Sequence, residues 1–454
     1  MGKEYDHSFT LEEWETCIKV LKELKKNPLD NPDNQLLGGL ITKIYKKAKK
    51  EQKNINEREQ RKEDYNNIKN TTIIDNALNN TTVYSDTNKE KTTYTQLNTS
   101  KTCYCCYKEY TLLHSFYNKL CPDCAEENYH RRFIDADLKG RNVILTGGRV
   151  KVGFATALKL LRSNANLMLT TRFPGIALDS FKKEKDYNEW KDRLKVYGLD
   201  LRNLKAVSDF IEYYKSTHTH LDILINNAAQ TIKYDEKYYS PLINQEQKLL
   251  QIHPEDIKIN ITPVVDSVKS ISTSEKNDSE YQLTRFGQPV DTREKNSWNS
   301  TLEEISVPEL LETNLINHIS PYILIKELKP LMLSSEFSDK FIINVTSSEG
   351  IFSYINKTIH HPHTNMTKAA LNMMTKTSAP DFIEDSIIMC AVDVGWISTG
   401  VNETIRNNQF ERLIIPPLDP VDGASRILHP IIEKLERNTS FVGDLLKNYR
   451  VNEW

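Results

Sequence analysis

No apolar run in this sequence approaches the roughly 20 residues of a membrane-spanning helix, and the mean hydropathy of -0.56 excludes a chain built to sit in lipid. Charge of one sign is also missing. Sixty Lys and Arg against 62 Asp and Glu leave a formal net charge of -2, so no global field draws the chain to nucleic acid or to an anionic membrane. The start lacks the basic and apolar regions of a secretory signal, and Asp6 stands where a myristoylation signal has Ser or Thr, so a cytoplasmic address is expected. Cysteine is scarce as well: seven in 454 residues, five of them between 103 and 124. That crowding suits a metal site better than a disulfide framework.

What is present divides the chain. At roughly 150 residues per domain its length suggests about three units. Residues 1–50 read as a helical hairpin: Thr10 with Glu13 forms a capping-box pattern, Phe9 and Trp14 take the staple positions, and apolar residues recur at helical spacing on either side of Pro28. Residues 51–100 turn to a Lys/Glu run and then an Asn/Thr-rich stretch, too polar to bury a core and expected to be a disordered linker. From about residue 137 to the C-terminus candidate strands (142–146, 167–171, 196–201, 221–226, 341–346, 387–392, and a short last one near Phe441) alternate with segments of helical periodicity. Several strands are continuous apolar runs, as in a parallel sheet covered on both faces, so the expected fold class is α/β, a doubly wound Rossmann-type sheet. A biased stretch at about 232–306 interrupts the pattern and reads as a partly disordered insertion.

Within 101–132, Cys103-x2-Cys106 and Cys121-x2-Cys124 have the spacing of a four-thiolate zinc module, because each CxxC turn offers two sulfurs to a tetrahedral ion. A closed four-thiolate site is structural, contributing folding energy and not catalysis. Cys105 and His114 are lesser candidate ligands. Arg131 and Arg132 lie in the same module, but no extended basic face accompanies them, and nucleic-acid binding is not expected.

The first strand of the α/β region ends in Thr146-Gly147-Gly148-Arg149-Val150-Lys151-Val152-Gly153 and runs into a helix, a turn that lets phosphate approach backbone N–H groups at the helix's positive end. Asp200 follows at the end of the third strand, Asn226-Asn227-Ala228-Ala229 at the end of the fourth, Asn314 in a helix, Asn344-Val345-Thr346-Ser347-Ser348 at the end of the fifth, and Lys368 opens the next helix. With these motifs in this order, residues 137–454 resemble the short-chain dehydrogenase/reductase family. The resemblance is closest to a divergent branch with a Cys-paired module in front and HPHTNMTKAALNMMT in the active-site helix. It implies a single Rossmann domain that moves hydride to or from NAD(P), a small-molecule substrate, and a homo-oligomer built through the helices around 308–333 and 365–379. By resemblance Thr146, Gly147 and Gly153 form the cofactor turn, Asp200 touches the adenine, Asn226 backs the central sheet, Ala228 lies beside the ribose, and Gly395 opens a segment over the nicotinamide. Lys368 fixes the nicotinamide ribose, Ser347 orients the substrate, and Asn314 relays water, with Ser348 and Asn317 as close competitors.

Two departures bear on function. The family turn is TGxxxGxG, and its middle glycine is Lys151 here; the lysine either points away or offers its charge to a phosphate. No carboxylate follows the second strand, whereas Arg149 and Arg172 are placed to clamp a 2′-phosphate, so NADP(H) is expected over NAD(H). The second departure is Thr364 where the family has a tyrosine one turn before the lysine. A threonine hydroxyl is far less acidic than a phenol and cannot take over its proton. The loop before it carries Tyr354, His360, His361 and His363, of which His363 adjoins the vacant position and is the expected proton carrier. Two readings follow: an NADP(H)-dependent oxidoreductase of a carbonyl or alcohol with an atypical proton donor, or a catalytically inactive nucleotide-binding sensor or scaffold. Retention of Lys368, Ser347 and Asn314 together favours the first.

Overall fold

The computed structural model describes residues 8–84, 91–252, 257–259, 282–354 and 357–454. The chain separates into two units, residues 1–66 and 67–454. The first holds α1 (Leu11–Leu24) and most of α2 (Asn34–Lys69). Thr10 and Glu13 form the reciprocal capping box, and Phe9 stacks on Trp14 at 6.0 Å between ring centroids, so local sequence does fix where α1 starts; α1 buries none of its residues. The linker expected from residue 51 is corrected by α2, which runs on to Lys69. The polar stretch of α2 beyond residue 50 holds together through pairs one turn apart: Gln52 donates to Asn56, and Lys53 and Arg61 both flank Glu57. Each such pair contributes about 0.2–0.5 kcal/mol.

The rest of the supposed linker is also ordered where described. Short α3 (Thr72–Leu78) buries Ile73, Ile74 and Ala77, and strand β1 (Tyr94–Thr102) buries Leu97 and pairs antiparallel with β2 (Glu109–His114). A few apolar anchors spaced through a polar stretch suffice to dock it. Helix α4 (Pro122–Arg131) completes the cysteine module.

The α/β region follows as β3 (Asn142–Thr146), α5 (Lys151–Arg162), β4 (Asn166–Thr171), α6 (Pro174–Lys182), α7 (Tyr187–Trp190), β5 (Leu194–Gly198), α8 (Leu204–Thr217), β6 (Ile223–Asn226), α9 (Glu236–Ile252), β7 (Ile257–Ile259), α10 (Val307–Asn314), α11 (Ser320–Leu333), β8 (Lys340–Thr346), α12 (Pro362–Glu384), β9 (Ile387–Asp393), α13 (Glu403–Glu411), α14 (Pro420–Arg437), β10 (Leu445–Lys447) and β11 (Arg450–Asn452). The sheet order is β11-β10-β9-β8-β6-β3-β4-β5-β7, parallel throughout except for β11. Alternation along the strands sends Val143 and Leu145 to a core shared with α5, α6 and α14, and Ile144 to a second core shared with α8, α11 and α12. This is the two-sided burial of a doubly wound sheet. Strand order reverses between β3 and β6, which opens a crevice at their carboxyl ends.

The insertion expected at 232–306 is partly regular. Helix α9 sets Glu246 on the start of α6, where its carboxylate accepts from Gly175 N (2.7 Å) and Ile176 N (2.9 Å), and β7 extends the sheet beyond β5. Residues 253–256 and 260–281 of that segment lie outside the described residues. No helix among the described residues is long and apolar enough to cross a membrane.

Candidate active site and metal centre

The glycine turn sits at the switch point. Gly147 is in the left-handed region at φ 73°, and a Cβ on Gly153 would stand 2.1 Å from the Gly147 carbonyl oxygen, so neither position accepts a side chain. Thr146 is buried and its Oγ1 accepts from Asn227 N (3.1 Å) and Ala228 N (3.0 Å). Asn227 returns two bonds of 3.0 Å, to the carbonyls of Thr146 and Gly147. Thr146 thus ties the ends of β3 and β6 together. Lys151 holds φ 53°, the left-handed conformation a glycine would take without strain.

This turn lines a cavity of about 420 Å³ together with Arg149, Lys151, Arg172, Asp200, Ala228 and, from the insertion, Tyr239 and Trp298. The Arg172 guanidinium lies 4.9 Å over the Tyr239 ring and donates to its hydroxyl at 3.2 Å; Arg149 lies 5.3 Å over Phe173. Among the described residues neither arginine nor Lys151 forms an ion pair. Burial and the neighbouring Arg172 push the Arg149 guanidinium down to about 10. Burial, then Arg285 and Arg149, push the Lys151 ammonium down to about 8. Asp200 is engaged elsewhere: burial favours its neutral form, but Arg202 grips both of its oxygens (2.6–3.1 Å) and holds the carboxyl below its ordinary range. Asn226, which the resemblance sets behind the cofactor in the central sheet, lies inside the sheet and donates to Asn344 at 2.9 Å; Asn227 is the residue that reaches the cavity.

Lys368 is buried on α12, and its Nζ donates to the Val345 carbonyl at 2.8 Å. Burial pushes its ammonium down to about 8 against the opposing pull of Asp393. Ser347 is the half-buried residue just beyond β8. Its neighbour Ser348 is committed, donating to Asp393 (2.8 Å) and accepting from Lys447 (2.9 Å). Between α10 and α11 the helix widens to a π-turn over Leu315–Ile319, which changes the helical register. Asn314 is consequently turned onto its own helix, donating to Leu310 O (2.7 Å). Asn317 takes the inward place: it accepts from Gln230 N (2.7 Å) and donates to Gln230 O (3.0 Å) and Thr367 Oγ1 (2.9 Å).

Thr364 is buried, and its hydroxyl has no partner among the described residues. His363 is also buried. Neither ring nitrogen has a hydrogen-bond partner among the described residues, Nε2 stands 3.5 Å from Glu309 Oε1, and burial lowers its pKa against the opposing pull of Glu309 and the Thr231 backbone. Tyr354 packs on Ile351, Ala391 and Leu445 instead of folding into the vacant position. A group the sequence left among the lesser candidates is His361. Its ring stacks 4.5 Å from Trp298, Nδ1 lies 2.7 Å from the Trp298 carbonyl, and Nε2 lies 3.2 Å from Glu349 Oε2. Trp298 itself had no signal, because its partners lie some sixty residues and more away in sequence.

At the cysteine module, Cys103, Cys106, Cys121 and Cys124 place their sulfurs within 4.8 Å of one another. Four thiolates converging in this way fit a tetrahedral Zn²⁺. Cys105 stands outside the group, and His114 is a core residue whose Nδ1 accepts from Phe116 N (2.9 Å).

Residues 141–279 match the short chain dehydrogenase family. An uncharacterized protein, R665, of Acanthamoeba polyphaga mimivirus is 34% identical over 343 residues, 72% of this chain and 70% of that one. The WW domain-containing oxidoreductase of Gallus gallus is 34% identical over 94 residues, 20% of this chain and 22% of that one. The RhlG/NADP active-site complex of Pseudomonas aeruginosa superposes with a TM-score of 0.47 at 17% identity, covering 68% of this chain and 95% of that one. Glycine turn, switch-point crevice and family match fall on the same segment, and through it the chain belongs to the short-chain dehydrogenase/reductase family.

Proposed function

We propose that this protein is an NADP(H)-dependent oxidoreductase acting on a carbonyl or alcohol substrate, with a structural Zn²⁺ in the cysteine module. The observation that carries the reading is the set of cations at the glycine turn: Arg149, Lys151 and Arg172 line one cavity with no carboxylate partner among the described residues. Half-buried cations with no ion-pair partner are costly, and a diphosphate with a 2′-phosphate supplies charge that Asp200, held by Arg202, does not. The α5 N-terminus, whose N-cap Val150 offers no side-chain acceptor, leaves its amides for the diphosphate. Arg149 and Arg172 take the 2′-phosphate.

When bound, the dinucleotide supplies or accepts hydride. Lys368 holds the nicotinamide ribose and Ser347 polarises the substrate oxygen. The proton passes through His363, whose lowered pKa suits a base and whose Nε2 faces Glu309 at 3.5 Å. Asn317, hydrogen-bonded to Gln230 and Thr367, relays water in place of Asn314. Exposed Leu311, Tyr322, Met366 and Met373 on α10, α11 and α12 support assembly into a homo-oligomer through those helices, and a cytoplasmic address remains part of the reading.

Titration with NADPH and NADH, followed by a panel of aldehydes, ketones and alcohols, tests the proposal. On a turned-over substrate, Lys368→Ala and His363→Ala should each lower kcat/KM at least about a hundredfold. Tight cofactor binding with no turnover across the panel would overturn the catalytic reading in favour of a nucleotide-binding scaffold.

A further inference from the structure

The metal module is the one motif that this chemistry does not use, and its contacts run toward the cofactor cavity. Tyr104 lies between two of the four clustered cysteines, and its hydroxyl accepts from the Trp396 backbone N–H at 2.8 Å. Lys119, two residues before Cys121, places its ammonium 4.9 Å over the Trp396 ring, and its carbonyl accepts from Tyr104 N at 2.8 Å. Trp396 is thus held by Tyr104, inside the first CxxC turn, and by Lys119, just before the second. It belongs to the segment 394–400 that follows β9, and Ser398, Thr399 and Gly400 of that segment wall the cavity.

The approach is close. Gly395 sits at φ 82°, and a Cβ there would stand 2.6 Å from Leu418 and 3.4 Å from the Tyr104 hydroxyl oxygen. Elsewhere the module is anchored independently of this segment: buried Arg132 pairs with Asp419 (2.8 Å) and Asp422 (3.0 Å), and Tyr117 donates to Asp422 (2.6 Å). The module therefore has a fixed base on α14 and a finger, Tyr104, on the segment that leads into the cavity wall.

We propose that the metal centre is a positioning device for residues 394–400, with Tyr104 as the positioning residue, so that metal occupancy and dinucleotide affinity are coupled. The proposal rests on the NADP(H) reading given above. Four sulfurs drawn to one ion fix the Cys103–Cys106 turn, and the turn fixes the hydrogen bond from the module to Trp396 N. Without the ion the turn gains conformational freedom, and ordering the segment must be repeated at each binding event. Coupling is reciprocal: NADPH must tighten the metal by the factor that the metal tightens NADPH, and about 5–150-fold is the usual scale.

The experiment uses full-length protein, with zinc content measured for every sample. Tyr104→Phe keeps the ring and removes the acceptor. It should retain zinc and unfold near the wild-type temperature, yet bind NADPH at least about fivefold more weakly, with KM for NADPH raised more than kcat is lowered. In the reciprocal arm, saturating NADPH should slow zinc transfer to a chromogenic chelator in wild type and have little effect in Tyr104→Phe. Should Tyr104→Phe fail to fold, Lys119→Ala and the wild-type chelator assay carry the test. Unchanged NADPH affinity in zinc-retaining Tyr104→Phe, or zinc transfer indifferent to NADPH in wild type, overturns the coupling alone. Wild type that binds neither dinucleotide overturns the cofactor reading and the coupling with it.

Discussion

Lys151→Gly separates two roles that the lysine at this position combines. The backbone there is left-handed, φ 53°, which costs a non-glycine residue roughly 1–2 kcal/mol. Glycine removes that strain and returns about 0.4–1 kcal/mol through the greater freedom of its unfolded chain, so the ligand-free protein should be unchanged or stabilised by up to about 1.5 kcal/mol. Binding should move the other way. The Lys151 ammonium lies 5.2 Å over the Phe286 ring, has no carboxylate partner among the described residues, and is pushed down to about 8 by burial and by Arg285 and Arg149. A charge-assisted bond from it to a phosphate contributes about 1.5–3 kcal/mol, so its loss weakens NADPH roughly 10–150-fold.

Urea unfolding of the ligand-free protein and calorimetric titration with NADPH read the two effects separately. The charged form is the one that binds phosphate, so wild-type affinity should also fall as pH rises through about 8, and Lys151→Gly should lack that dependence. Lys151→Gly that binds NADPH as tightly as wild type would refute the reasoning and return the lysine to a surface substitution.

Arg172→Ala should narrow the preference for NADPH over NADH by about 10–150-fold, one charge-assisted contact, and equal wild-type affinity for the two dinucleotides would sink the assignment. Arg132→Ala leaves Asp419 and Asp422 without their buried cation and should cost about 3–5 kcal/mol in denaturant unfolding; a change under about 1 kcal/mol would show that water takes the place of the guanidinium. Zinc should be absent from Cys121→Ser/Cys124→Ser protein, and full retention would exclude the four-cysteine site. Burial lowers the His361 pKa, but Glu349 and the Trp298 carbonyl outweigh it and raise it above the ordinary value. Its stabilising contacts are therefore fully present below about 6.5 and lost as pH rises through the folded value. Tryptophan fluorescence should report that release above about pH 6.5, and a signal that persists in Trp298→Phe would assign it to another indole.

How far the sequence discloses the fold depends on where each element's stabilising partners lie. Strands such as Val143–Leu145 are apolar on both faces because helices cover both, and this composition is visible without knowing which helices they are. The four-cysteine cluster is equally local, since spacing within each CxxC sets two of its four ligands. Residues 51–100 are the reverse case. Their composition reads as linker, while α2 is held by pairs one turn apart, α3 by three apolar anchors that meet the cysteine module only in the folded chain, and β1 by pairing with β2. Asn314 and Asn317 are not separated by the sequence, since a π-turn leaves no mark in apolar periodicity yet changes which asparagine faces Gln230 and Thr367.

The two departures from the family pattern have a feature in common that composition could not disclose. Lys151, in place of a glycine, lies under Phe286 and beside Tyr84, both from segments that the sequence marks as linker or insertion. The helix that carries Thr364 in place of tyrosine begins at His361, which is left-handed, stacked on Trp298 of the insertion and bonded to its carbonyl. Trp298 also closes against Gly400, where a Cβ would stand 2.8 Å from its ring. Each departure therefore faces an added element. A glycine turn with a lysine and an active-site helix without its tyrosine look like decay when read singly. Beside the residues packed on them, both departures lie against the insertion, and on the cofactor reading proposed above Lys151 offers charge to a phosphate in the cavity that Trp298 also lines.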